Sequence, residues 1–243
     1  MARDYSLLEN RWKRLNIPEC SLESLASIHG YPFYRILIGK NAPRNVLITA
    51  GIHGDEPSGP EAILRFLERG NWNLRFNFTV FPCLNPTGYV QNTRENLEGK
   101  DINRTFGGDD VKEANLVKRL LQGMRFDVYV DLHEDYDASG FYIYEGKKDK
   151  NWMGHRIIQK VRKLGAIDEE TDEIDIPIGP GHLQADPGWD NRGIVSYAYT
   201  HHSDHVLIFE TPSTHPMDER ISMHLTALEA VLDFHQQDKG NSK

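Results

Sequence analysis

The chain of 243 residues has few cysteines, no long apolar run and no block of positive charge. Its two cysteines, Cys20 and Cys83, are too few for a disulfide framework and too far apart for a Cys-x-x-Cys redox pair. No apolar run approaches the length of a membrane span, and charged residues stand where a signal peptide needs its apolar segment. The sequence therefore predicts free thiols, no membrane attachment and a cytoplasmic location.

The charge balance also excludes some partners. The net charge is −8, which argues against nucleic acid as the main partner. Hydrophobic residues make up 39% of the chain and charged residues 26%, so there is enough apolar material for a sizeable core. Because no linker or low-complexity stretch divides the chain, we predict one domain over residues 1–243, with no role assigned to residues 1–34.

Short β-branched runs alternate with stretches of helical periodicity from Arg35 onward. This alternation is typical of strands joined by helical crossovers, and it predicts an α/β fold with a largely parallel sheet. The clearest strands are predicted at residues 46–49, 78–84, 128–132, 141–144 and 206–209, and helices at residues 60–68, 111–123, 152–164 and 218–235. Two polar segments, residues 85–110 and 168–193, are predicted as long loops.

The strand predicted at residues 46–49 runs into the segment Gly-Ile-His-Gly-Asp-Glu-Pro, residues 51–57. His53 and Glu56 lie three residues apart in a turn that enters a helix, so an imidazole nitrogen and a carboxylate can point at one metal ion. A polar turn capped by Asp55, with a histidine that binds no metal, gives the same pattern. Taken alone, this segment leaves both interpretations open.

Two more predicted strands also end in ionisable side chains, namely His133 and Glu210. In open α/β sheets ligands bind outside the carboxyl ends of the strands, so the three strand ends support one another. We expect His133 to be a third metal ligand, Asp131 to accept a hydrogen bond from a ligand imidazole, and Glu210 to act as a base. The alternatives are a solvated acidic loop around His133, an Asp131 that is only an acidic residue at the strand end, and a Glu210 that only caps the following helix.

Arginine and asparagine recur in the polar segment 94–106. Asn103 and Arg104 can hold a substrate carboxylate by charge-assisted hydrogen bonds, and Arg94 can stabilise a developing oxyanion. The alternative is that these arginines are ordinary surface residues. The histidines at positions 201, 202 and 205 precede their strand, so we expect them in a polar loop at the opposite end of the sheet.

Taken together, these motifs resemble those of the zinc carboxypeptidase family. They occur in the order His-x-x-Glu from residue 53, Asn-Pro-x-Gly from 85, Arg at 94, Asp-Ile-Asn-Arg from 101, Asp-Leu-His from 131 and Glu-Thr-Pro from 210. The resemblance implies a single domain with a twisted, mixed sheet of about eight strands flanked by helices. It also implies a set of site residues: one Zn²⁺ on His53, Glu56 and His133, Glu210 as general base and acid, Arg94 at the oxyanion, and Asn103 with Arg104 at a terminal carboxylate.

The sequence departs from the pancreatic-type members of that family at two places. Asp55 stands where those members carry an arginine, and this form of the motif is closer to the murein-peptide amidase and succinylglutamate desuccinylase or aspartoacylase branches. The mobile tyrosine that caps the substrate in the family has no clear counterpart, and Tyr197 and Tyr199 are both candidates. The preferred length of a peptide substrate is therefore open.

The resemblance implies a hydrolase that cleaves an amide bond next to a free carboxylate with water activated by the metal. A zinc-dependent carboxypeptidase or peptide amidase acting on small peptides is the leading hypothesis. The alternative is an N-acyl amino acid hydrolase of the desuccinylase or aspartoacylase type; a metal-binding module without turnover would have no need of Glu210. The same ligands also suit Ni²⁺, Co²⁺ or Mn²⁺. The sequence leaves the oligomeric state open.

Overall fold

The computed structural model describes residues 2–70, 75–185 and 193–237. Residues 186–192, which belong to the predicted loop 168–193, lie outside the described residues. The strands in the described ranges are β1 Cys20–Ile28, β2 Tyr31–Ile38, β3 Arg44–Ala50, β4 Phe76–Phe81, β5 Val128–Asp135, β6 Tyr142–Lys147, β7 Pro177–Gly179, β8 His182–Gln184 and β9 His205–Pro212. The helices are α1 Tyr5–Lys13, α2 Ser58–Arg69, α3 Pro86–Gln91, a 3-10 helix Ile102–Arg104, α4 Lys112–Leu121, α5 Gly154–Val161, α6 Ile194–His201 and α7 Met217–Gln237.

All nine of these strands form one mixed sheet in the order β1-β2-β4-β3-β5-β9-β6-β8-β7. The α/β class and the mixed sheet are confirmed, but the sheet is less parallel than expected. The pairs β4–β3, β3–β5, β5–β9 and β6–β8 are parallel, and the other four neighbouring pairs are antiparallel. The antiparallel pairs are β1–β2, β2–β4, β9–β6 and β8–β7, so they lie toward the two edges of the sheet.

Helices cover both faces of the sheet, and the two apolar layers follow from the alternation of side chains along the strands. On β5, Val130 and Leu132 pack into the layer under α1, α2, α5 and α7, whereas Tyr129 packs into the layer under α4 and α6. The segment that contains the 3-10 helix joins this second layer through Ile102 and Phe106, which are 1% and 3% exposed. A polar segment is therefore anchored by two buried apolar side chains.

Several predicted boundaries were wrong. The strand predicted at residues 78–84 ends at Phe81. The segment 85–110 is not a continuous loop, because Asn85 caps α3 by accepting from the amide of Gly88, and Asp101 caps the 3-10 helix. The segment 168–193 contains the short strands β7 and β8. Residues 1–34, to which the sequence assigned no role, form α1, β1 and the start of β2.

The parallel strands β3, β5 and β9 place their carboxyl ends side by side. Thr49 of β3 lies opposite Asp131 of β5, and His133 of β5 lies opposite Glu210 of β9. The fold therefore brings the three strand ends that the sequence singled out to one edge of the sheet. None of the helices in the described ranges combines the length and the apolar character needed to cross a membrane.

Candidate metal centre

The loop between β3 and α2, residues 51–57, carries His53 and Glu56. It turns sharply at Gly51, whose φ of +61° favours glycine and whose position leaves a Cβ only 2.9 Å from Pro60 Cγ. His53 and Glu56 are 3% and 6% exposed, so both side chains turn inward rather than into solvent. The alternative in which Asp55 caps the following helix is wrong, because Pro57 stands at the N-cap of α2 and no side chain caps it.

His133, at the end of β5, completes a cluster with the two side chains of this loop. The Glu56 carboxylate lies between the two imidazoles, 2.6 Å from His53 Nδ1 and 3.0 Å from His133 Nδ1. One atom from each of the three residues lies within 4.8 Å of the others. Two imidazole nitrogens and a carboxylate gathered this closely are a donor set that a divalent metal ion fits.

The far side of each imidazole faces a second carboxylate. His133 Nε2 lies 2.9 Å from Asp131 Oδ2, and His53 Nε2 lies 3.4 Å from Asp101 Oδ1. Asp131 is itself held by the hydroxyl of Thr49, which also bonds to Tyr129. Carboxylates in this position orient a ligand imidazole and leave its other nitrogen free for a metal.

The histidines and the carboxylates of this cluster shift one another's pKa toward the charged forms. Burial lowers the pKa of His53 and of His133, but the neighbouring carboxylates raise the pKa of both on balance, that of His133 well above its ordinary value. Burial also raises the pKa of Glu56, but the two histidines lower it on balance. The three groups therefore interact strongly with one another within one buried site.

Arg94 extends along the open side of the cluster. Its Nε donates to Asp101 Oδ2 at 3.0 Å, and its Nη1 lies 3.3 Å from His53 Nδ1 and 3.8 Å from Glu56 Oε1. The side chain keeps 40% of its surface exposed. Arg94 is thus held beside the cluster by Asp101 while part of its guanidinium stays accessible.

Glu210 enters the site from β9. It lies opposite His133 on one side and opposite Tyr142 of β6 on the other, and it is partly buried. Burial raises the pKa of Glu210 well above its ordinary value, and Glu56 adds to this rise while His133 opposes it. The carboxyl group of Glu210 therefore lies within electrostatic reach of two of the three candidate ligands.

Asn103 and Arg104 lie in the 3-10 helix that Asp101 caps. The Asn103 side-chain oxygen accepts from the amide of Ile194 at 2.9 Å, which leaves its NH₂ group as the donor for a ligand. Arg104 is exposed, and its Nη1 donates to the Asn103 carbonyl at 3.2 Å. Because Asp101 also contacts His53 and Arg94, one side chain ties this pair to the metal cluster.

A cleft of about 560 Å³ opens beside the cluster. Glu56, Arg94 and the exposed Tyr136 are among the residues that line it. Tyr197 and Tyr199, the two candidates for a substrate-capping tyrosine, do not line this cleft. Tyr197 packs on Phe106, and the Tyr199 ring lies under the Lys148 ammonium group.

Two parts of this site were missed in the sequence. Asp101 begins the Asp-Ile-Asn-Arg motif, from which the sequence predicts roles for Asn103 and Arg104 only. Glu134 donates its backbone amide to Glu56 Oε2 at 3.1 Å, and its side chain accepts from the amide of Ser58 and pairs with Arg220. The position of Glu134 directly after a candidate ligand was the only local signal for such a role.

The histidines at positions 201, 202 and 205 stay at the opposite end of β9 from Glu210, as their order in the chain predicts. They do not form a solvated loop, however. His201 ends α6, His202 is 4% exposed, and His205 begins β9 between His235, at 2.9 Å, and Glu145, also at 2.9 Å. His202 Nδ1 lies 3.0 Å from the Met124 carbonyl oxygen, and both ring nitrogens of His205 have partners, so these two side chains are held inside the fold.

Comparison with known proteins finds a matching family model and similar sequences. The family model of the succinylglutamate desuccinylase/aspartoacylase catalytic domain matches residues 42–166. Cytosolic carboxypeptidase 2 of Danio rerio is 33% identical over 152 residues, which are 55% of this chain and 21% of that protein. Murein peptide amidase A of Escherichia coli K12 is 38% identical over 73 residues, 30% of each chain. The chain therefore spans about a fifth to a third of these relatives.

A solved structure from Shewanella amazonensis SB2B, provisionally named a metallopeptidase, matches with a TM-score of 0.81 and 25% identity. The match covers 95% of this chain and 91% of that one. It includes the regions outside the family match, so the arrangement of the whole sheet is shared.

Proposed function

We propose that this chain, which belongs to the succinylglutamate desuccinylase/aspartoacylase catalytic-domain family, is a zinc-dependent hydrolase that cleaves an amide bond next to a free carboxylate. The leading form of the proposal is a carboxypeptidase or peptide amidase that acts on small peptides. One observation carries it: His53, Glu56 and His133 bring ligand atoms within 4.8 Å of one another, and Glu210 lies opposite His133 on the next strand.

The donor set supports zinc as the metal. Two imidazoles and one carboxylate are a common set for catalytic zinc, although Ni²⁺, Co²⁺ or Mn²⁺ also suit them. When bound, such an ion supplies a Lewis acid and a water of lowered pKa. His53 and His133 would bind through Nδ1, because Asp101 and Asp131 face their Nε2 atoms.

The remaining side chains have separate tasks in the proposal. Glu210 takes a proton from the attacking water and passes it to the leaving amine. Arg94, which is fixed by Asp101 and still partly exposed, stabilises the negative charge that develops on the substrate carbonyl oxygen. Asn103 and Arg104 bind the substrate's free carboxylate through side-chain N–H donors.

An N-acyl amino acid hydrolase of the desuccinylase or aspartoacylase type is the second candidate. The family match favours it, because the matched model describes that catalytic domain. It would use the same ligands and the same Glu210 but would need a binding group for the acyl chain instead of one for a peptide. A binding module without turnover is less favoured, because nothing in metal binding alone requires Glu210.

A substrate panel with and without a chelator tests the proposal. The panel contains short peptides with a free carboxyl terminus, the same peptides amidated at that end, and N-acyl amino acids. We expect the free peptides to be cleaved fastest, the amidated peptides poorly, and all activity to disappear with the chelator and return with zinc. Chelator-resistant activity would refute the metal mechanism, and faster cleavage of N-acyl amino acids would favour the second candidate.

A cytoplasmic location and a single domain remain predictions from the sequence. Fractionation of cells that express the protein tests the location, and limited proteolysis tests for a cut between stable fragments.

A further inference from the structure

Arg3 reaches from the N-terminal segment to the loop that carries two of the candidate metal ligands. Its Nη1 donates to the carbonyl of Gly54 at 2.8 Å and to the carbonyl of Tyr89 at 3.2 Å, and its Nη2 donates to the side-chain oxygen of Asn92. Gly54 lies between His53 and Glu56. A single guanidinium therefore connects this loop, residues 51–57, to the last turn of α3.

The two surfaces that Arg3 joins are in very close contact. A Cβ at Gly54 would lie 1.9 Å from the Gly88 carbonyl carbon, so the loop packs backbone to backbone against α3. Carbonyl oxygens at the end of a short helix lack partners within it, and a cation with several N–H donors satisfies them well. A guanidinium suits this place better than an ammonium group, because its planar fork reaches several acceptors at once.

The rest of the N-terminal segment holds Arg3 in place. The Arg3 amide donates to the Val90 carbonyl at 2.9 Å, and its guanidinium lies over the Tyr89 ring, 5.3 Å from the ring centre. The next residues form α1, whose Tyr5, Leu8 and Trp12 are 1–2% exposed in the core. The position of Arg3 is thus set by a helix that three buried side chains anchor in the core, and not by surface contacts alone.

We propose that Arg3 is a positioning residue, which holds the loop 51–57 against α3 and so keeps His53 and Glu56 in place for the metal ion. The proposal rests on metal binding by this cluster, as the proposed function does, but it does not depend on any substrate. Three of the five N–H groups of Arg3 are already used by Gly54, Tyr89 and Asn92, which favours this role over substrate binding.

The test compares three variants with the wild type. Arg3→Met removes the donors but keeps much of the apolar stem, and Arg3→Lys keeps the charge with a single donor atom. Arg11→Ala is the matched control, because Arg11 lies on α1 but pairs with Glu61 and Glu68 of α2, at 2.9 Å each. Each zinc-loaded protein is mixed with excess chelator, and the rate of zinc release is measured.

We expect Arg3→Met to release zinc roughly 10- to 100-fold faster than the wild type, as for other residues that orient metal ligands, with Arg3→Lys between the two and Arg11→Ala unchanged. Amide hydrogen exchange in residues 51–57 of the metal-free proteins should rise in Arg3→Met alone. Wild-type release and exchange in Arg3→Met would overturn the proposal. Equal acceleration in Arg11→Ala would also overturn it, because general loosening of α1 would then suffice.

These outcomes are separable from failure of the proposed function. A wild-type protein that binds zinc but cleaves nothing in the substrate panel would refute the function and leave the release experiment valid. If the wild type bound no zinc, hydrogen exchange in the loop would still decide whether Arg3 positions it.

Discussion

At the scale of single residues, Glu210 is the side chain that would distinguish the proposed hydrolase from a protein that only binds a metal ion. It is placed opposite His133 by the pairing of β5 and β9, and it is not one of the three clustered ligands. We expect Glu210→Gln to lower kcat roughly 10²- to 10⁴-fold, since an amide cannot accept the proton, and to leave the bound zinc at one ion per chain. Turnover assays with metal analysis check this, and full turnover in the variant would exclude Glu210 as the base.

Replacing Asp101 tests whether the carboxylates at the Nε2 atoms of the two histidines strengthen metal binding. Burial raises the pKa of Asp101, but His53 and Arg94 lower it on balance, so the side chain is held as a carboxylate. Asp101→Asn keeps the shape and removes the charge, and we expect it to weaken zinc binding roughly 10- to 100-fold. Competition with a chromophoric chelator measures the affinity. Asp109→Asn is the control, because Asp109 is exposed and pairs only at the surface with Lys118.

At the scale of elements, the sequence predicted the buried strands and missed the half-exposed ones. The central strands β3, β5 and β9 are apolar on consecutive positions, so the pattern reveals both the strands and the ligands that follow them. β1 exposes part of both faces, and its sequence Cys-Ser-Leu-Glu-Ser-Leu-Ala-Ser-Ile has no clear alternation. α3 is only six residues long, which is too short for a helical pattern of apolar residues, and the Asn85 cap is its main signal in the sequence.

The sequence nominated candidate site residues near strand ends, and it added Arg94, Asn103 and Arg104 through the chemistry of the polar segment 94–106. Glu210 directly follows an apolar run, and His53, Glu56 and His133 lie within six residues of one, so the local sequence was enough to nominate them. Contacts between Asp101 and His53, or between Arg3 and Gly54, join residues about 50 positions apart, and only the packing of loops on α3 brings them together. No periodic pattern encodes such a contact.

The packing of the loop 51–57 on α3 gives a prediction at this scale. An added methyl group at Gly54 would overlap the backbone of Gly88, which cannot move aside as a side chain could. We expect Gly54→Ala to lower the free energy of unfolding by at least about 1–3 kcal/mol and to reduce the amount of zinc bound. Urea denaturation and metal analysis measure the two effects. Gly179→Ala is the control, because a Cβ there meets nothing within 4 Å, and equal behaviour of the two variants would contradict the packing argument.

At the scale of the whole molecule, the two ends of the sheet carry different kinds of buried polar groups. The cluster of candidate metal ligands lies at the carboxyl ends of β3 and β5, and Glu210 of β9 lies opposite His133. The opposite end of β9 holds Glu145, which lies 2.9 Å from His205 and 2.9 Å from His182 and also accepts from the amides of Met153 and Gly154. Burial raises the pKa of Glu145, but these partners lower it to about 2 on balance. This second group of side chains links the strands β6, β8 and β9 to the start of α5.

His235 of α7 joins that second group and should make the fold sensitive to acid. Burial lowers the pKa of His235 to about 3, and His205 adds to the effect. The unfolded chain takes up a proton at this histidine below pH ~6.5, whereas the folded chain stays neutral there until about pH 3, so stability falls as the pH is lowered through this window. One such group removes about 2 kcal/mol between pH 7 and pH 5.

The variant His235→Gln isolates this contribution from those of other histidines. Glutamine can keep a hydrogen bond to His205 and does not titrate, and the titrating groups that do not interact with His235 cancel in the difference from the wild type. We expect the wild type to lose about 2 kcal/mol more than the variant between pH 7 and pH 5, measured by urea denaturation of the metal-free proteins. The exposed His155 provides the control, because His155→Gln should keep the wild-type slope. Parallel slopes in all three proteins would show that His235 is not held neutral in the fold.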